Sequence, residues 1–269
     1  VGMQTINIGR YKKTELYLKE ADMISAISAD LITVNAENLD DKINAMLQRS
    51  GVYLGVDRAV IFLLSKDREK LIYPSEWCAA GQKAQLGTLE SFDVASRAEW
   101  VDQIENKTTW LIPDVDKLDE ELAPGKKRLK DMHVGAMISM PFEVRGHVHG
   151  LLIYHSQTKR QQWREEHLKM LGVLANLLSD TFLKVDSEKE INTMAYHDAL
   201  TGLPNRAYFN MKLEQAIEAS DRLGTKVAIA FIDLDSFKAI NDTSGHEGGD
   251  EVLKLVGQRL DERLEAGGV

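Results

Sequence analysis

The stretch Gly135-Ala-Met-Ile-Ser-Met-Pro-Phe-Glu-Val-Arg-Gly-His-Val-His-Gly-Leu-Leu-Ile-Tyr154 decides the fold of the first part of the chain. It contains two apolar segments of strand length, Ala136–Val144 and His147–His155, separated only by Arg145-Gly146. Two strands joined by so short a turn form an antiparallel hairpin. We therefore expect an antiparallel sheet that is built around this hairpin.

Further strand and helix patterns extend outward from the hairpin. The apolar run Ala59–Leu64 is predicted to form one strand, and Lys70–Tyr73 a second strand after a polar turn. Thr109–Ile112 is predicted to be a short strand. Apolar residues at helical spacing predict helices over 14–36, 40–54 and 95–105, the second with Asp40 as its N-cap. These patterns predict an α+β fold in which helices flank an antiparallel sheet at each end.

A long helix is predicted from residue 163 to about residue 195. A continuous apolar stripe runs along it: Leu171, Leu174, Leu178, Phe182 and Val185. About 30 helical residues extend about 45 Å, which is more than a small domain needs to cover its sheet. We expect this helix to leave the first domain, to pair with its copy in a homodimer and to enter a second domain. A terminal helix followed by a solvated linker is the alternative.

The most informative run in the last part of the chain is Phe231-Ile-Asp-Leu-Asp-Ser-Phe-Lys-Ala-Ile-Asn-Asp242. A buried strand predicted over Val227–Ile232 delivers Asp233 and Asp235 at its carboxyl end, where open α/β sheets commonly bind ligands. Carboxylates there can hold Mg²⁺ together with substrate phosphates. Taken alone, Asp-x-Asp after a strand is equally well a turn followed by a helix N-cap.

The residues that follow can bind a nucleotide. The backbone amides around Ser236 and Phe237 open the next helix and can face a phosphate. Asn241 lies one helical turn further along. Asn and Asp side chains suit a guanine edge, because a carboxylate can accept from two adjacent N–H groups.

Three motif blocks place this region in a known family. Asp198-x-Leu-Thr-Gly-Leu-Pro-Asn-Arg206, the run ending at Asp242, and Gly245-His-x-x-Gly-Asp250 resemble the GGDEF family of diguanylate cyclases, in its order and spacing. The resemblance covers about residues 195–269. It implies a ferredoxin-like or adenylyl-cyclase-like α/β domain that condenses two GTP molecules into cyclic di-GMP across a dimer.

The resemblance also implies roles for individual residues. Asp233 would be a ligand of Mg²⁺ and Leu234 would supply a carbonyl to the metal. The amides of Ser236 and Phe237 would contact phosphates, and Asn241 and Asp250 would hold guanine. No catalytic residue beyond these is assigned.

Gly248-Gly-Asp-Glu-Val252 nearly spells the family signature but is not expected to be that signature. The signature lies on a hairpin between two strands, whereas these residues open a helix whose apolar stripe begins at Val252. We expect the true signature to follow Gly268, so that the chain contains the domain truncated before its signature hairpin. The second metal carboxylate would then be missing, and we expect the chain as written to lack appreciable cyclase activity.

Residues 20–185 resemble a GAF domain. The stretches that carry this resemblance are Arg58–Leu64, Asn106–Val115 and Gly135–Tyr154, with Pro141 in its usual place. GAF domains are sensory modules that bind small ligands or dimerise, and a GAF domain joined through a helix to a GGDEF domain is a familiar bacterial signalling layout.

The GAF ligand is left unknown by the sequence. Cys78 could tether a bilin, but it lacks the adjacent His of phytochrome-type sites, so a buried structural thiol is the preferred interpretation. His147 and His149 share one strand face, and His155 joins them for metal or heme binding only if no bulge intervenes. Exposed strand histidines are the ordinary case.

Composition excludes several classes of protein. The 269 residues include 33 Lys and Arg against 42 Asp and Glu, a net charge of −9, which argues against nucleic-acid and anionic-membrane partners. A single cysteine excludes an intrachain disulfide framework and fits a reducing cytoplasm. Apolar runs are too short to cross a bilayer.

The sequence therefore predicts four segments: an N-terminal extension over 1–19, a GAF sensor over 20–185, a connecting helix over 163–196 and a GGDEF domain over 197–269. The predicted function is a cytoplasmic bacterial signalling protein in which the sensor regulates a diguanylate cyclase, a homodimer formed through the 14–36 and 163–195 helices. The alternatives are a non-catalytic GTP-binding scaffold with a degenerate GGDEF domain, and a dimerising sensor without a catalytic role.

Overall fold

The computed structural model describes residues 2–84, 91–94, 98–119, 123–157 and 161–267. The chain divides into two compact units, Val1–Val185 and Asp186–Val269. The division falls inside one long helix.

The first unit contains the predicted helices and strands in their predicted order, and adds β3, a 3₁₀ turn and α4, which were not predicted. Its elements are α1 (Gly2–Ile32), α2 (Leu39–Leu54), β1 (Arg58–Leu64), β2 (Lys70–Cys78), β3 (Ser91–Asp93), α3 (Ala98–Asn106), β4 (Trp110–Ile112), a 3₁₀ turn (Val115–Lys117), α4 (Ala123–Asp131), β5 (Ala136–Val144), β6 (His147–Ser156) and α5 (Glu165–Tyr196). The α+β class is confirmed.

The six strands form one sheet in the order β3-β2-β1-β6-β5-β4, and every neighbouring pair is antiparallel. The predicted β5–β6 hairpin is confirmed. Arg145 and Gly146 have φ values of 52° and 81°, the left-handed pair that a tight hairpin turn requires. The central position of β1 and β6 places the ends of these two strands in the middle of the sheet.

Each face of the sheet has its own apolar core. On one face, α1, α2 and α5 pack through residues that include Ile27, Leu47, Ile61, Leu152 and Leu174. On the other face, α3, α4 and the 3₁₀ turn cover a second cluster that includes Val60, Ile104, Val115, Met137 and Ile153. Adjacent residues of one strand, such as Val60 and Ile61, therefore serve different cores, as the alternation of side chains along a strand requires.

The predicted N-cap of α2 is wrong. The helix begins at Leu39, and Asn38 occupies the N-cap position without a side-chain capping bond. The Asn38 Oδ1 instead accepts a hydrogen bond of 2.9 Å from the amide of Asn35, which closes the preceding loop. Asp40 lies in the first turn of the helix, where its negative charge interacts favourably with the positive end of the helix dipole. The preceding helix ends at Ile32, four residues before its predicted end.

The apolar stripe of α5 does not form a free face for a second copy. Leu171, Leu174 and Leu178 are 0% exposed because they fill the core between α5 and the sheet of the same chain. Ile27 and Leu31 of α1 lie in that core as well. Helical periodicity correctly indicates a buried face here, but the partner is this chain's own sheet.

The second unit contains the end of α5, then α6 (Arg206–Leu223) and α7 (Phe237–Gly267). One residue, Gly245, interrupts α7 with φ 75° and ψ 177°, a backbone conformation that only glycine adopts readily. The predicted loop over 245–249 is therefore confined to Gly245. Residues 248–252 are helical, so the prediction that this near-signature does not form a hairpin is confirmed.

The buried strand predicted over Val227–Ile232 is wrong. The segment is irregular, and Phe231 and Ile232 are 93% and 73% exposed. A strand is stable only when a neighbour satisfies its backbone N–H and C=O groups. No other part of 186–267 forms a strand; the one bridge described there joins His197 to Pro204.

Candidate functional site

The turn that joins α5 to α6 is fixed by the side chain of Asp198. Its Oδ1 accepts hydrogen bonds from the amide of Leu200 (3.2 Å), and from the amide and hydroxyl of Thr201 (2.9 and 2.8 Å). These bonds, from Thr201 above all, hold the pKa of the Asp198 carboxyl below its ordinary value. The first motif block therefore forms a turn between α5 and α6 that is held by side-chain hydrogen bonds.

Asn205 completes this turn. Its Oδ1 caps α6 by accepting from the amides of Ala207 and Tyr208 (2.9 and 3.1 Å), while its Nδ2 donates to the carbonyl of Ala195 in α5 (2.9 Å). One side chain thus caps one helix and holds the end of another, which explains why an amide occupies the position.

The candidate metal ligands Asp233 and Leu234 lie in the exposed segment that precedes α7. The Leu234 carbonyl accepts a long hydrogen bond of 3.4 Å from the amide of Phe237. Ser236, between them, has φ 60°, so the chain makes a turn with a left-handed third residue. The Leu234 carbonyl, which was predicted to bind the metal, and the Phe237 amide, which was predicted to bind phosphate, are therefore hydrogen-bonded to each other in this structure.

The donor types of this segment match Mg²⁺. Asp233 and Asp235 supply two carboxylates, and Mg²⁺ is commonly held by one or two carboxylates together with waters and substrate phosphates. Within the described ranges, no three His, Cys, Asp or Glu side chains lie close enough together to hold a metal ion. The residues thus fit a magnesium site to which the substrate contributes.

One of the two candidate guanine-binding residues, Asn241, packs against a glycine of α7. The helix is kinked at Gly245, and the backbone at Gly249 lies against the side chains of Asn241 and Phe237. Asp250 follows Gly249 directly in the helix. The structure therefore brings Phe237 and Asn241 against Gly249 of the last motif, whereas within the described part of the chain no hydrogen bond or ion pair joins Asp233 to these residues.

Two contacts made by glycines of α7 were not predicted. The first is the contact of Gly249 with Asn241. The second is made by Gly257: a Cβ there would lie 3.2 Å from Thr201 Cβ, so α7 packs closely on the turn that Asp198 fixes. The signal in the sequence is a glycine inside an apolar helical pattern, which usually marks a close approach.

The first unit contains a buried polar cluster at the ends of β1, β2 and β6. Arg58, 2% exposed, pairs with Glu76 and donates from Nη2 to the Lys83 carbonyl (2.7 Å). His155 is the neighbour of Arg58 across the β1–β6 pair. Burial, and then the charge of Arg58, lower the pKa of His155 to about 4, so this imidazole is neutral at pH 7.

The three strand histidines do not form a metal site. The β5–β6 pairing shifts between Phe142 and Glu143, which pair with Gly150 and Val148, so that His149 is the extra residue of a bulge in β6. His149 consequently faces α5, with its ring 4.8 Å from that of Phe182, whereas His155 lies on the opposite face beside Arg58. His155 was expected to join His147 and His149 only in the absence of a bulge, and the bulge in β6 separates it from them.

Cys78 lies at the end of β2 and is partly buried. Burial raises the pKa of its thiol to about 11, so little reactive thiolate is present at neutral pH. This environment agrees with a structural thiol.

The chain thus consists of a six-stranded sheet domain followed by a helical region that carries the three motif blocks. Residues 38–181 match the family profile described as "GAF domain", and residues 195–269 match "Diguanylate cyclase, GGDEF domain". The chain belongs to the GAF domain family, and its GAF domain is followed by a GGDEF domain region.

Relatives with and without an assigned activity match part or most of the chain. The chain is 36% identical over 148 residues to "Diguanylate cyclase DgcP" of Escherichia coli (strain K12), an alignment that covers 52% of this chain and 43% of that protein. It is 26% identical over 243 residues to "Uncharacterized protein Mb1389c" of Mycobacterium bovis (strain ATCC BAA-935 / AF2122/97), covering 90% of this chain and 38% of that protein. The chain thus spans less than half the length of these relatives.

Among solved structures, the phycoerythrobilin-bound GAF domain from a cyanobacterial phytochrome superposes with a TM-score of 0.55 at 17% identity. The superposition covers 63% of this chain and 97% of that domain. At this level of identity it shows the GAF fold alone. In the part of the chain that the structure describes, no helix combines the length and the apolar character needed to cross a membrane.

Proposed function

We propose that the GAF domain of this chain regulates a diguanylate cyclase that condenses two GTP molecules into cyclic di-GMP. The observation that carries the proposal is the contact between Asn241 and Gly249, the residue before Asp250, because it joins the two motif blocks that would recognise guanine. The related diguanylate cyclase of E. coli supports the same reaction class.

The proposed roles follow the order of the residues along the chain. Asp233 and the Leu234 carbonyl hold Mg²⁺, which would neutralise charge on the phosphates. The amides of Ser236 and Phe237 bind phosphate oxygens at the start of α7. Asn241 and Asp250 bind the guanine edge. Because the Leu234 carbonyl and the Phe237 amide bond to each other at 3.4 Å, substrate binding would open this turn at small cost.

Asp233 and the Leu234 carbonyl, the metal donors of this proposal, lie in an irregular, largely exposed segment, and the described residues contain no cluster of three His, Cys, Asp or Glu side chains that could hold the metal without substrate. We therefore expect residues 1–269 on their own to bind nucleotide weakly and to show no appreciable cyclase activity.

Regulation is proposed to act through a homodimer of the α1 and α5 helices, which belong to the 14–36 and 163–195 segments. The buried stripe of α5 is unavailable, so the contact would use exposed apolar residues: Leu18 and Ile32 of α1, and Val173 and Leu183 of α5. The same proposal includes the division into an N-terminal extension (1–19), a sensor domain (20–185), a connecting helix (163–196) and a GGDEF domain (197–269). It also includes a cytoplasmic location, where GTP is available.

The test uses the full-length protein with GTP and Mg²⁺, with chromatographic detection of cyclic di-GMP. We expect Asp233→Asn to abolish product formation and Asp250→Ala to weaken GTP binding. Asp242→Asn is the matched control, because this exposed carboxylate adjoins Asn241 but has no proposed ligand. Product formation that survives Asp233→Asn would refute the assigned metal ligand.

The second candidate is a GTP-binding scaffold without catalysis. The observation that favours it is the irregular, exposed conformation of residues 225–236, which carry both carboxylates. GTP binding by the full-length protein without any cyclic di-GMP would support this candidate over the enzyme.

A further inference from the structure

Gly249 is a helical glycine whose backbone does not need glycine. Gly245 has φ 75° and ψ 177° and cannot readily be replaced, whereas Gly249 lies within the helical part of α7 without a positive φ. Glycine in a helix interior is less favourable than alanine, because it loses more backbone freedom on folding. Its presence at 249 therefore points to a contact that a side chain would prevent.

That contact is with the side chain of Asn241. A Cβ built on Gly249 would lie 1.9 Å from Asn241 Oδ1, 3.0 Å from its Cγ and 3.3 Å from Phe237 Cζ. The carboxamide of Asn241 thus occupies the space of a side chain at position 249. Gly249 is buried, and in the second unit only Gly257 shares this property among residues 186–263.

We propose that Gly249 is a positioning residue for guanine recognition: its missing side chain lets the carboxamide of Asn241 rest on the α7 backbone one residue before Asp250. This inference rests on the proposed function and identifies a residue that would orient the guanine-binding side chain Asn241. Gly249 touches no substrate in this proposal and acts only through Asn241.

The chemistry explains why the position matters. Guanine presents an oxygen acceptor beside N–H donors, so an amide and a carboxylate must be presented together and in the correct order to complement it. An amide side chain on an exposed helix samples several rotamers. The packing of Asn241 against Gly249 limits those rotamers, which reduces the ordering required when the nucleotide binds.

The test compares two glycine-to-alanine variants in the full-length protein. In Gly249→Ala, the Asn241 carboxamide is the movable end of a side chain, so we expect a folded protein in which this group is displaced. Gly172→Ala in α5 is the control for a helical glycine with open space around it.

Two measurements decide the proposal. By calorimetry, Gly249→Ala and Asn241→Ala should each weaken GTP binding about tenfold, and the double variant should be no weaker than either one, since both act through one amide. In the nucleotide-free protein, the Asn241 side-chain amide resonance should move in Gly249→Ala and stay in place in Gly172→Ala. Thermal melting adds a rescue: Gly249→Ala should raise Tm only when Asn241 is already Ala.

The outcomes separate this inference from the proposed function. If the wild-type protein binds no GTP, the proposed function fails, and the Asn241 resonance and the Tm rescue alone decide whether Gly249 positions this amide. If GTP binds, but Gly249→Ala leaves both the affinity and the resonance unchanged, the positioning role is overturned. Additive effects of the two substitutions on affinity would overturn it as well.

Discussion

The two units of this chain treat their apolar residues in opposite ways. In the first unit, Leu47, Ile61 and Leu174 are completely buried between a six-stranded sheet and its helices. In the second unit, α6 buries no residue, and Phe231 is 93% exposed. The difference teaches that an apolar run becomes a core only where the chain supplies a second surface to cover it.

Leu174 offers the largest test of this contrast. Leu174→Asp should destabilise the first unit by about 5 kcal/mol or more, because it combines a lost core side chain with a buried unpaired charge. Asn176→Asp, two residues later and exposed on α5, should change the free energy of unfolding by less than about 0.5 kcal/mol. Urea unfolding followed by tryptophan fluorescence measures both.

The same pair tests where the α5 stripe is used. If Leu174→Asp gave a stable, folded monomer from a dimeric wild type, then Leu174 would belong to an interface between copies and the intramolecular core would be wrong. Sedimentation of the two variants provides that result directly.

Acid should affect the first unit through His155. The pKa of His155 is about 4 in the folded protein and 6.5 in the unfolded chain, so between these values the unfolded state binds more protons. Stability is therefore highest above about pH 6.5 and falls as the pH is lowered toward 4, by about 3 kcal/mol in all. Asp57 and Glu76 oppose the lowering, and Arg58 contributes to it.

The measurement is the free energy of unfolding at several pH values between 7 and 4. His155→Gln should remove this part of the pH dependence, whereas His147→Gln, at the exposed start of the same strand, should retain it. A wild-type stability that stays level across this range would contradict a buried neutral His155.

In the second unit the expected effects are smaller, since few contacts support each element. Asn205→Ala should cost about 1 kcal/mol through the lost cap of α6. Asn205→Asp keeps the cap but loses the bond to the Ala195 carbonyl, so it separates the two functions of this side chain. Hydrogen exchange of the α6 amides reports the change.

The control is Asn210→Ala, an exposed position inside α6, where alanine has the higher helix propensity. Protection of the α6 amides should stay equal or rise in this variant. Equal exchange in Asn205→Ala and Asn210→Ala would show that the turn at Asp198 does not depend on Asn205.

Sequence reasoning succeeded where structure depends on local pattern. The β5–β6 hairpin follows from two apolar segments around Arg145-Gly146, and the interpretation of 248–252 as helical follows from the stripe that begins at Val252. The stripe containing Leu174 correctly indicated a buried face, but periodicity does not show what covers that face.

The wrong predictions have one physical cause: each concerns a structure that forms only when another part of the chain provides a hydrogen-bond or packing partner. Val227–Ile232 has the composition of a strand, but a strand exists only beside another strand. The cap of α2 depended on where the Asn38 side chain finds its hydrogen bond. The contact of Gly249 with Asn241 depends on the kink at Gly245, which spacing alone does not reveal.

Phe231 provides the smallest expected effect and the sharpest contrast with the first unit. Phe231→Ser in residues 1–269 should change the free energy of unfolding by less than about 0.5 kcal/mol, because a 93% exposed ring has little apolar area to lose. Phe142→Ser, whose ring is 1% exposed in the first unit, should cost several kcal/mol by the same substitution, about 3 or more. Equal losses in the two variants, measured by urea unfolding, would mean that Phe231 is covered in solution. The segment 227–232 would then be a buried element after all, and the contrast between the two units would disappear.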